Sequence, residues 1–487
     1  MNRILLLCLL FPLNSICQNS LNTTLLYHWM DSTIIGTTLY NNVYNEVWGM
    51  VYNEREFAVI GSTDGTHIFD ITDVLNVNEV AYIPGAAQGA SIVHRDYHDF
   101  NGYLYIVCDE GQSTLQIVDV SDLPNSYSIV YDSNDLFIRA HNIFIDTLTS
   151  HLYVCSEKKL GINNFNALHI YDLSTDPELP THWYTYNDVG HVHDAFVKND
   201  TAFLNCGNQG FKIVDFSMVS PMLAVMHNEL TSLTSYPDAG YNHSGWLTED
   251  GNYYVMADEN PGKKMKLLDV SNLSSPSVTS TFFSDLNLNQ SMPHNQIIKD
   301  NYIYTAHYHD GFYVHDMSDP TNPTLAAYYD TFDPPHYNSY MGAWGVYPFL
   351  PSGNILVSDM QTGLYIFEVD YNAPLSSWDC MESLCIDPGT GFGQFSSLSS
   401  CEESCLSNNI DDFNLFNIFP NPINNKLHIQ LADQKAIAFI YNMQGQKLIE
   451  VEIEEDHMLN LDFLSSGIYT LLLDLGERKI HRKILKQ

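Results

Sequence analysis

Five histidines hold the same place in five successive segments of the chain, His94, His141, His193, His243 and His294, and Trp48 and Trp344 hold that place in the flanking segments. Neutral imidazole is a general ligand for zinc, copper and iron, so this column points first to a divalent transition metal. One ion takes three or four protein ligands, and two or three adjacent histidines with a water form the natural set. Five of the seven segments then bring a second polar group: Asp109 with Glu110, Glu157, Asp258 with Glu259, His307, and Asp359. Carboxylates beside imidazoles fix their tautomers, so Asp96, Glu157, Asp258, Glu259 and His307, with Trp48 and Trp344, are the expected surroundings of a metal or small ligand. Strand alternation aims Asp96 to the same side as His94 and turns Asp194 away from His193. The competing reading is structural, because a histidine copied with every repeat can serve only to hydrogen-bond neighbouring strands.

A repeat positions these residues. Gly61, Cys108, Cys155, Cys206, Ala257, Ala306 and Ser358 each close a short apolar run, at steps of 47, 47, 51, 51, 49 and 52 residues. The sixth unit shows the content: apolar strands from His294 to Lys299, Tyr302 to Ala306, Phe312 to Met317 and Thr324 to Tyr329, separated by turn residues. Four short strands per unit and seven units predict a seven-bladed β-propeller. The first strand of each blade is the innermost, which puts the histidine column around one mouth of the central channel. A second column, Asp70, Asp119, Asp172, Asp215, Asp269 and Asp316 with Glu368 in the seventh unit, ends the third strands and reads as turn-forming. The seventh unit lacks a fourth strand, and Thr24 to Met30 near the N-terminus has the pattern to supply it and close the ring. On this reading Cys108, Cys155 and Cys206 are small packing residues rather than a thiol cluster.

The 487 residues carry a net charge of -38 with 45% hydrophobic and 13% aromatic residues, enough apolar surface for a large core. That charge argues against nucleic-acid partners and anionic membranes, which need basic surface. One basic residue, an apolar stretch from Ile4 to Leu10 and polar residues by Ser15 to Gln18 read as a secretory signal peptide over residues 1–18. No later run approaches the length of a membrane span. The chain has no Gly-rich phosphate loop, no HExxH and no GxSxG, so no nucleophile is nominated.

Several local motifs resemble the secreted propellers built from the LVIVD repeat, often called the choice-of-anchor B family. They are His94-Arg95-Asp96, Ala140-His141-Asn142-Ile143, His193-Asp194-Ala195, the run from His243 to Thr248, His294-Asn295, and the run from Trp344 to Pro348. The resemblance covers roughly residues 40 to 370 and departs at His94, where the family has an aromatic residue. It implies a propeller and no settled activity.

Beyond residue 372 the composition changes. Cys380, Cys385, Cys401 and Cys405 in a Gly- and Ser-rich spacer, 373–410, read as two disulfides with three possible pairings, and zinc binding is the second reading. Residues 411–487, with Ile418-Phe419-Pro420-Asn421-Pro422, Tyr441 to Gln446, Leu464 to Tyr469 and a basic end, resemble the type A C-terminal sorting domain of the type IX secretion system. That resemblance implies an Ig-like β-sandwich, the type IX machinery as a partner, and release or retention at the outer-membrane surface. The expected chain is all-β: a signal peptide, a seven-bladed propeller over 19–372, a disulfide-rich spacer and a sorting sandwich. Its expected function is binding of a metal (zinc, copper or iron) or small ligand in the histidine arc. A metal-dependent hydrolase or oxidase at the same site, and an interaction or adhesion scaffold with a protein or glycan ligand, are the alternatives.

Overall fold

The computed structural model describes residues 20–221, 226–284, 289–332, 334, 339–372, 378–381, 384–386, 395, 398, 400–401, 405, 416–442, 446–476 and 479–486. The expected signal peptide, the Asp387 to Gly391 turn and the Met443 to Gly445 part of the sorting motif lie outside these residues. The chain divides into two compact units at residues 373 and 374.

In the N-terminal unit, seven four-stranded antiparallel arrays follow one another: 44–84, 95–133, 142–186, 194–233, 242–282, 295–329, and 343–369 completed by 23–29. Their first strands pack side by side, each against the next and the last against the first, so the array is a closed seven-bladed propeller. Closure comes from the N-terminus. Strand Thr23–Trp29 pairs antiparallel with Gly363–Val369, with Thr23 opposite Val369 and Trp29 opposite Leu364, and Ser20–Leu21 caps the outer edge of the sixth blade. Both pairings cover backbone edges that would otherwise be exposed.

The Asp column does the turn work expected of it. Asp119 accepts from the Ser121 amide (3.0 Å) and hydroxyl (2.6 Å), and Asp269 does the same with Ser271 (2.9 and 2.6 Å). Asp172, Asp215 and Asp316 each accept from the amide two residues on at 2.8 Å. These side chains satisfy the backbone where each third strand ends.

The same column fixes the register and corrects the small-residue series. Opposite Asp70, Asp119, Asp172, Asp215, Asp269 and Asp316 stand Phe57, Tyr103, His151, Thr201, Tyr253 and Tyr302. Counting on from them, the place of Ala306 is taken in the second and fourth blades by Val107 and Asn205, so Cys108 and Cys206 lie one residue beyond it. All three cysteines are nevertheless buried and free, and burial raises their thiols, that of Cys206 to about 12. They pack as small hydrophobes. Asn205 instead ties blade four to blade five: its amide donates to Asn242 (3.1 Å) and to the Ser244 carbonyl (3.2 Å), and its oxygen accepts from the Tyr254 hydroxyl (2.7 Å).

In the C-terminal unit, Cys380 pairs with Cys405 and Cys385 with Cys401, which selects one of the three pairings and occupies the sulfurs that zinc would need. A five-stranded sheet follows, in which Lys426–Tyr441 pairs with Phe416–Phe419, Lys447–Asn460 and Gly467–Asp474. A register break between Gln430 and Lys435 lets the sheet turn over a single core that includes Leu427, Ile429, Ile440, Leu471 and Ile484. Among the described residues no helix is long and apolar enough to cross a membrane.

A histidine ring at the channel mouth

The first strands present their side chains to the channel in tiers. In blades five and seven an extra residue, His243 or Trp344, stands between two paired positions. In blade one the same irregularity holds Asn45 and Glu46, so Asn45 occupies the place of the histidines. Trp48 falls three residues further along and sits at the opposite end of the channel, where its ring packs 4.7 Å from His98 and 5.0 Å from Tyr347. Of the two tryptophans expected around the histidines, only Trp344 is therefore there.

The remaining six residues close on themselves. Ring centroids are separated by 4.5 Å between His94 and His141, 4.1 Å between His141 and His193, and 4.0 Å between His193 and His243. The circle continues at 4.5 Å from His243 to His294 and 4.3 Å from His294 to Trp344, and closes at 5.6 Å from Trp344 to His94. These residues surround a cavity of about 190 Å³ that Tyr40, Tyr308 and Tyr340 also line.

Three of the five imidazoles make a hydrogen bond within the protein. His294 Nδ1–H donates to the Trp344 carbonyl (2.6 Å) and His243 Nδ1–H reaches the His294 carbonyl (3.1 Å), each bond bridging adjacent blades. Only one nitrogen of each ring is used so. The Nε2 atoms face Glu259 Oε1 at 3.7 Å from His243 and 4.0 Å from His294, and Glu259 accepts from the Tyr308 hydroxyl at 2.6 Å. His141 Nδ1 pairs with Asp109 Oδ2 at 2.7 Å. The Nδ1 atoms of His94 and His193, and Nε1 of Trp344, are buried without a hydrogen-bond partner.

Burial holds His94, His193 and His243 well below the usual imidazole range, each helped by neighbouring histidines, and brings His294 to about 3. Burial pulls His141 down as well, but the Asp109 carboxylate outweighs it and leaves that ring above its ordinary value. Four rings are thus neutral near pH 7, the form that offers a lone pair. Burial pushes Glu259 up to about 7.

Below the ring lies a polar tier: Glu46, Asp96, Asn142, Asp194, Ser244 and Asn295 line a chamber of about 60 Å³. Asp194 and Asp96 both face it, against the expectation that Asp194 would turn away. Both hold the place that Asn295 takes opposite Ala306, Asp194 opposite Asn205 and Asp96 opposite Val107, and Asp96 comes two residues after its histidine because of an added residue, Arg95. Its buried guanidinium donates to the carbonyls of Ser62 (2.8 Å), Thr63 (3.3 Å) and Ala87 (2.7 Å) in and beside blade one. Burial raises Asp96 to about 7 and Asp194 to about 6.

Three expected companions lie elsewhere. Glu157 is enclosed in blade three against His169 Nδ1 (2.6 Å) and the Tyr171 hydroxyl (2.8 Å). Asp258 forms a buried ion pair with Lys266 (2.6 Å) and accepts from the Tyr236 hydroxyl (2.7 Å). His307 is buried beside Asp310 (3.2 Å). Asp359, likewise outside the mouth, accepts from the Thr331 hydroxyl (2.8 Å). Each lies at or near the end of a second strand, where the side chain serves its own blade rather than the channel. Sequence reasoning missed the tyrosine wall, since Tyr40 and Tyr340 come from irregular segments outside the repeat.

Residues 249–283 and 296–331 match the model of the LVIVD repeat, and residues 417–487 match that of the secretion system C-terminal sorting domain. None of the curated proteins compared with the chain matches it. Among solved structures, the chain is similar to the WD40 repeats of RRP9, with 10% identity, 72% of this chain and 97% of that chain covered, and a TM-score of 0.48. It is also similar to PorZ, a surface component of the type IX secretion system of Porphyromonas gingivalis, with 11% identity, 94% and 61% covered, and a TM-score of 0.44. The Cps50 (Swd1) propeller gives 12% identity, 72% and 99% covered, and 0.44. The propeller thus contains LVIVD repeats and is followed by a secretion-system sorting domain, and that domain implies dealings with the secretion machinery and export to the cell surface or the medium.

Proposed function

We propose that this exported propeller binds a divalent transition-metal ion at the histidine-lined mouth of its channel. The observation that carries the reading is the closed ring itself, five imidazoles from consecutive blades with two carboxylates, Asp109 and Glu259, reaching in from loops. Inter-blade hydrogen bonds account for one nitrogen each of His243 and His294, so the structural reading leaves half of each ring unexplained. It leaves Nδ1 of His94 and His193 without a purpose as well, and a buried unpaired polar atom costs about 1–3 kcal/mol. Nitrogen with carboxylate donors suits zinc, copper or iron. The cavity of about 190 Å³ is smaller than the roughly 300–1,000 Å³ typical of drug-sized ligands, which favours an ion with a small co-ligand.

Elemental analysis of the purified full chain after exposure to zinc, copper and iron salts tests this. Bound metal is expected in the wild type, reduced in His141→Ala and His243→Ala. A wild-type chain that retains no metal overturns the proposal, and metal retained undiminished by both variants places the site elsewhere.

A further inference from the structure

We infer that the mouth is built for two metal ions, one held by His94, Asp109 and His141 and the other by His193, His243 and Glu259. The inference rests on the metal reading above and deepens it. Within each triad the donor atoms lie within 4.8 Å of one another, and the two sets share no residue. Each set follows one plan: two imidazoles from adjacent blades and one carboxylate from the loop after a second strand. Two imidazoles and a carboxylate are a sufficient set for a divalent ion and leave positions open for water or a ligand.

The two sets also match in what they lack. Each contains one imidazole held by a hydrogen bond, His141 by Asp109 (2.7 Å) and His243 by the His294 carbonyl (3.1 Å). Each contains one imidazole whose Nδ1 has no partner, and these rings are nearly sealed from solvent, with His94 6% and His193 9% exposed. Each triad thus contains one of the two unpaired imidazole nitrogens. The triads meet at the His141–His193 contact, where the ring centroids lie 4.1 Å apart.

Charge permits the second ion. The residues lining the mouth and the chamber beneath it include Glu46, Asp96, Asp194 and Glu259 and, among those described, no lysine or arginine. Two divalent cations therefore face carboxyl groups and no opposing positive side chain.

The test is the stoichiometry of the full chain, stripped with a chelator and titrated with Co²⁺, followed by absorbance and by equilibrium dialysis with elemental analysis. Two ions per wild-type chain are expected, one in Asp109→Asn, one in Glu259→Gln, and none in the double variant at concentrations that saturate the wild type. Each single substitution should weaken its own half-site at least about tenfold. Saturation of the wild type at one ion overturns the two-ion inference and leaves the metal reading standing, whereas no binding at all overturns both. Loss of all metal in either single variant, or loss from neither, also overturns it. The wild-type count decides even if a variant proves misfolded by near-ultraviolet circular dichroism.

Discussion

The two ends of the channel lie three residues apart on the same strands, yet they are finished in different ways. At the far end Trp48, His98, Phe144, Phe196, Trp246, Phe349 and Tyr347 form a second closed circle, with successive centroids 4.7, 5.2, 5.1, 4.9, 5.6, 5.5 and 5.0 Å apart. There Trp48 Nε1 donates to Asp99 Oδ1 (2.8 Å) and His98 Nδ1 to the Asp99 carbonyl (2.9 Å). Aromatic edges and faces satisfy one another, and each such contact adds about 0.5–1.5 kcal/mol. The histidine ring has the same closed geometry but leaves His94 Nδ1, His193 Nδ1 and Trp344 Nε1 unpaired. One circle is satisfied within the chain; the other leaves three buried nitrogens without a hydrogen-bond partner, and the proposed metal reading rests on that difference.

The largest expected effect breaks the aromatic circle. Trp246→Ala should cost about 2–3 kcal/mol, less than the roughly 3–5 kcal/mol of a fully buried aromatic because Trp246 is half-buried. Metal affinity should stay unchanged. Urea unfolding and metal titration read the two quantities, and a tenfold loss of affinity would show that the ends are not independent.

His193→Gln should do the reverse. We expect about a 100-fold loss of ion affinity, about 2.7 kcal/mol, at the half-site containing His243 and Glu259. The metal-free chain should unfold at nearly the wild-type urea midpoint, because Nδ1 of His193 has no partner to lose. A drop of several kcal/mol in the metal-free variant would mark the ring as structural.

A smaller change sharpens the account of the far end. Trp48→Phe keeps a ring in the circle but removes the hydrogen bond to Asp99, for an expected cost of about 1 kcal/mol and no change in metal binding. Equal stability of variant and wild type would mean that ring packing alone closes that end.

The smallest effect concerns the tier between them. Burial, and then the charges of Asp96 and Asp194, hold the Glu46 carboxyl well above its ordinary value of 4.5. The fold favours its neutral form, so its contribution is present below that ordinary value and is lost as pH rises through the folded one. Glu46→Gln should therefore gain on the wild type with rising pH in metal-free urea melts between pH 5 and 8. A gap that stays constant across that range would remove Glu46 from the account.

The blade count, the ring closure by Thr23–Trp29 and the turn role of the Asp column were legible because each is a local pattern repeated at a near-constant step. Register was less so. Arg95 lengthens the second entry strand by one residue, and the Asn45-Glu46 irregularity shifts the first, which is why Trp48 aligned with the histidines on paper and lies at the other mouth in space. The acids that meet the imidazoles, Asp109 and Glu259, share their loops with Glu110, which accepts from the backbone amides of Val93 and His94, and with Asp258, which pairs with Lys266. Adjacent residues on a bent loop point in different directions, and no period distinguishes them.

By itself the sequence determined the architecture, the seven blades, the presence of five equivalent histidines and the sorting domain, because backbone pairing and hydrophobic alternation recur in each unit and are read without long-range knowledge. Only the tertiary structure decided which side chains share the mouth. Closing the ring brings blade seven against blade one, sets Trp344 beside His94, and draws Asp109 and Glu259 toward different imidazole pairs. Those contacts join residues up to about 250 positions apart, and their geometry is set by packing between blades rather than by any pattern within one.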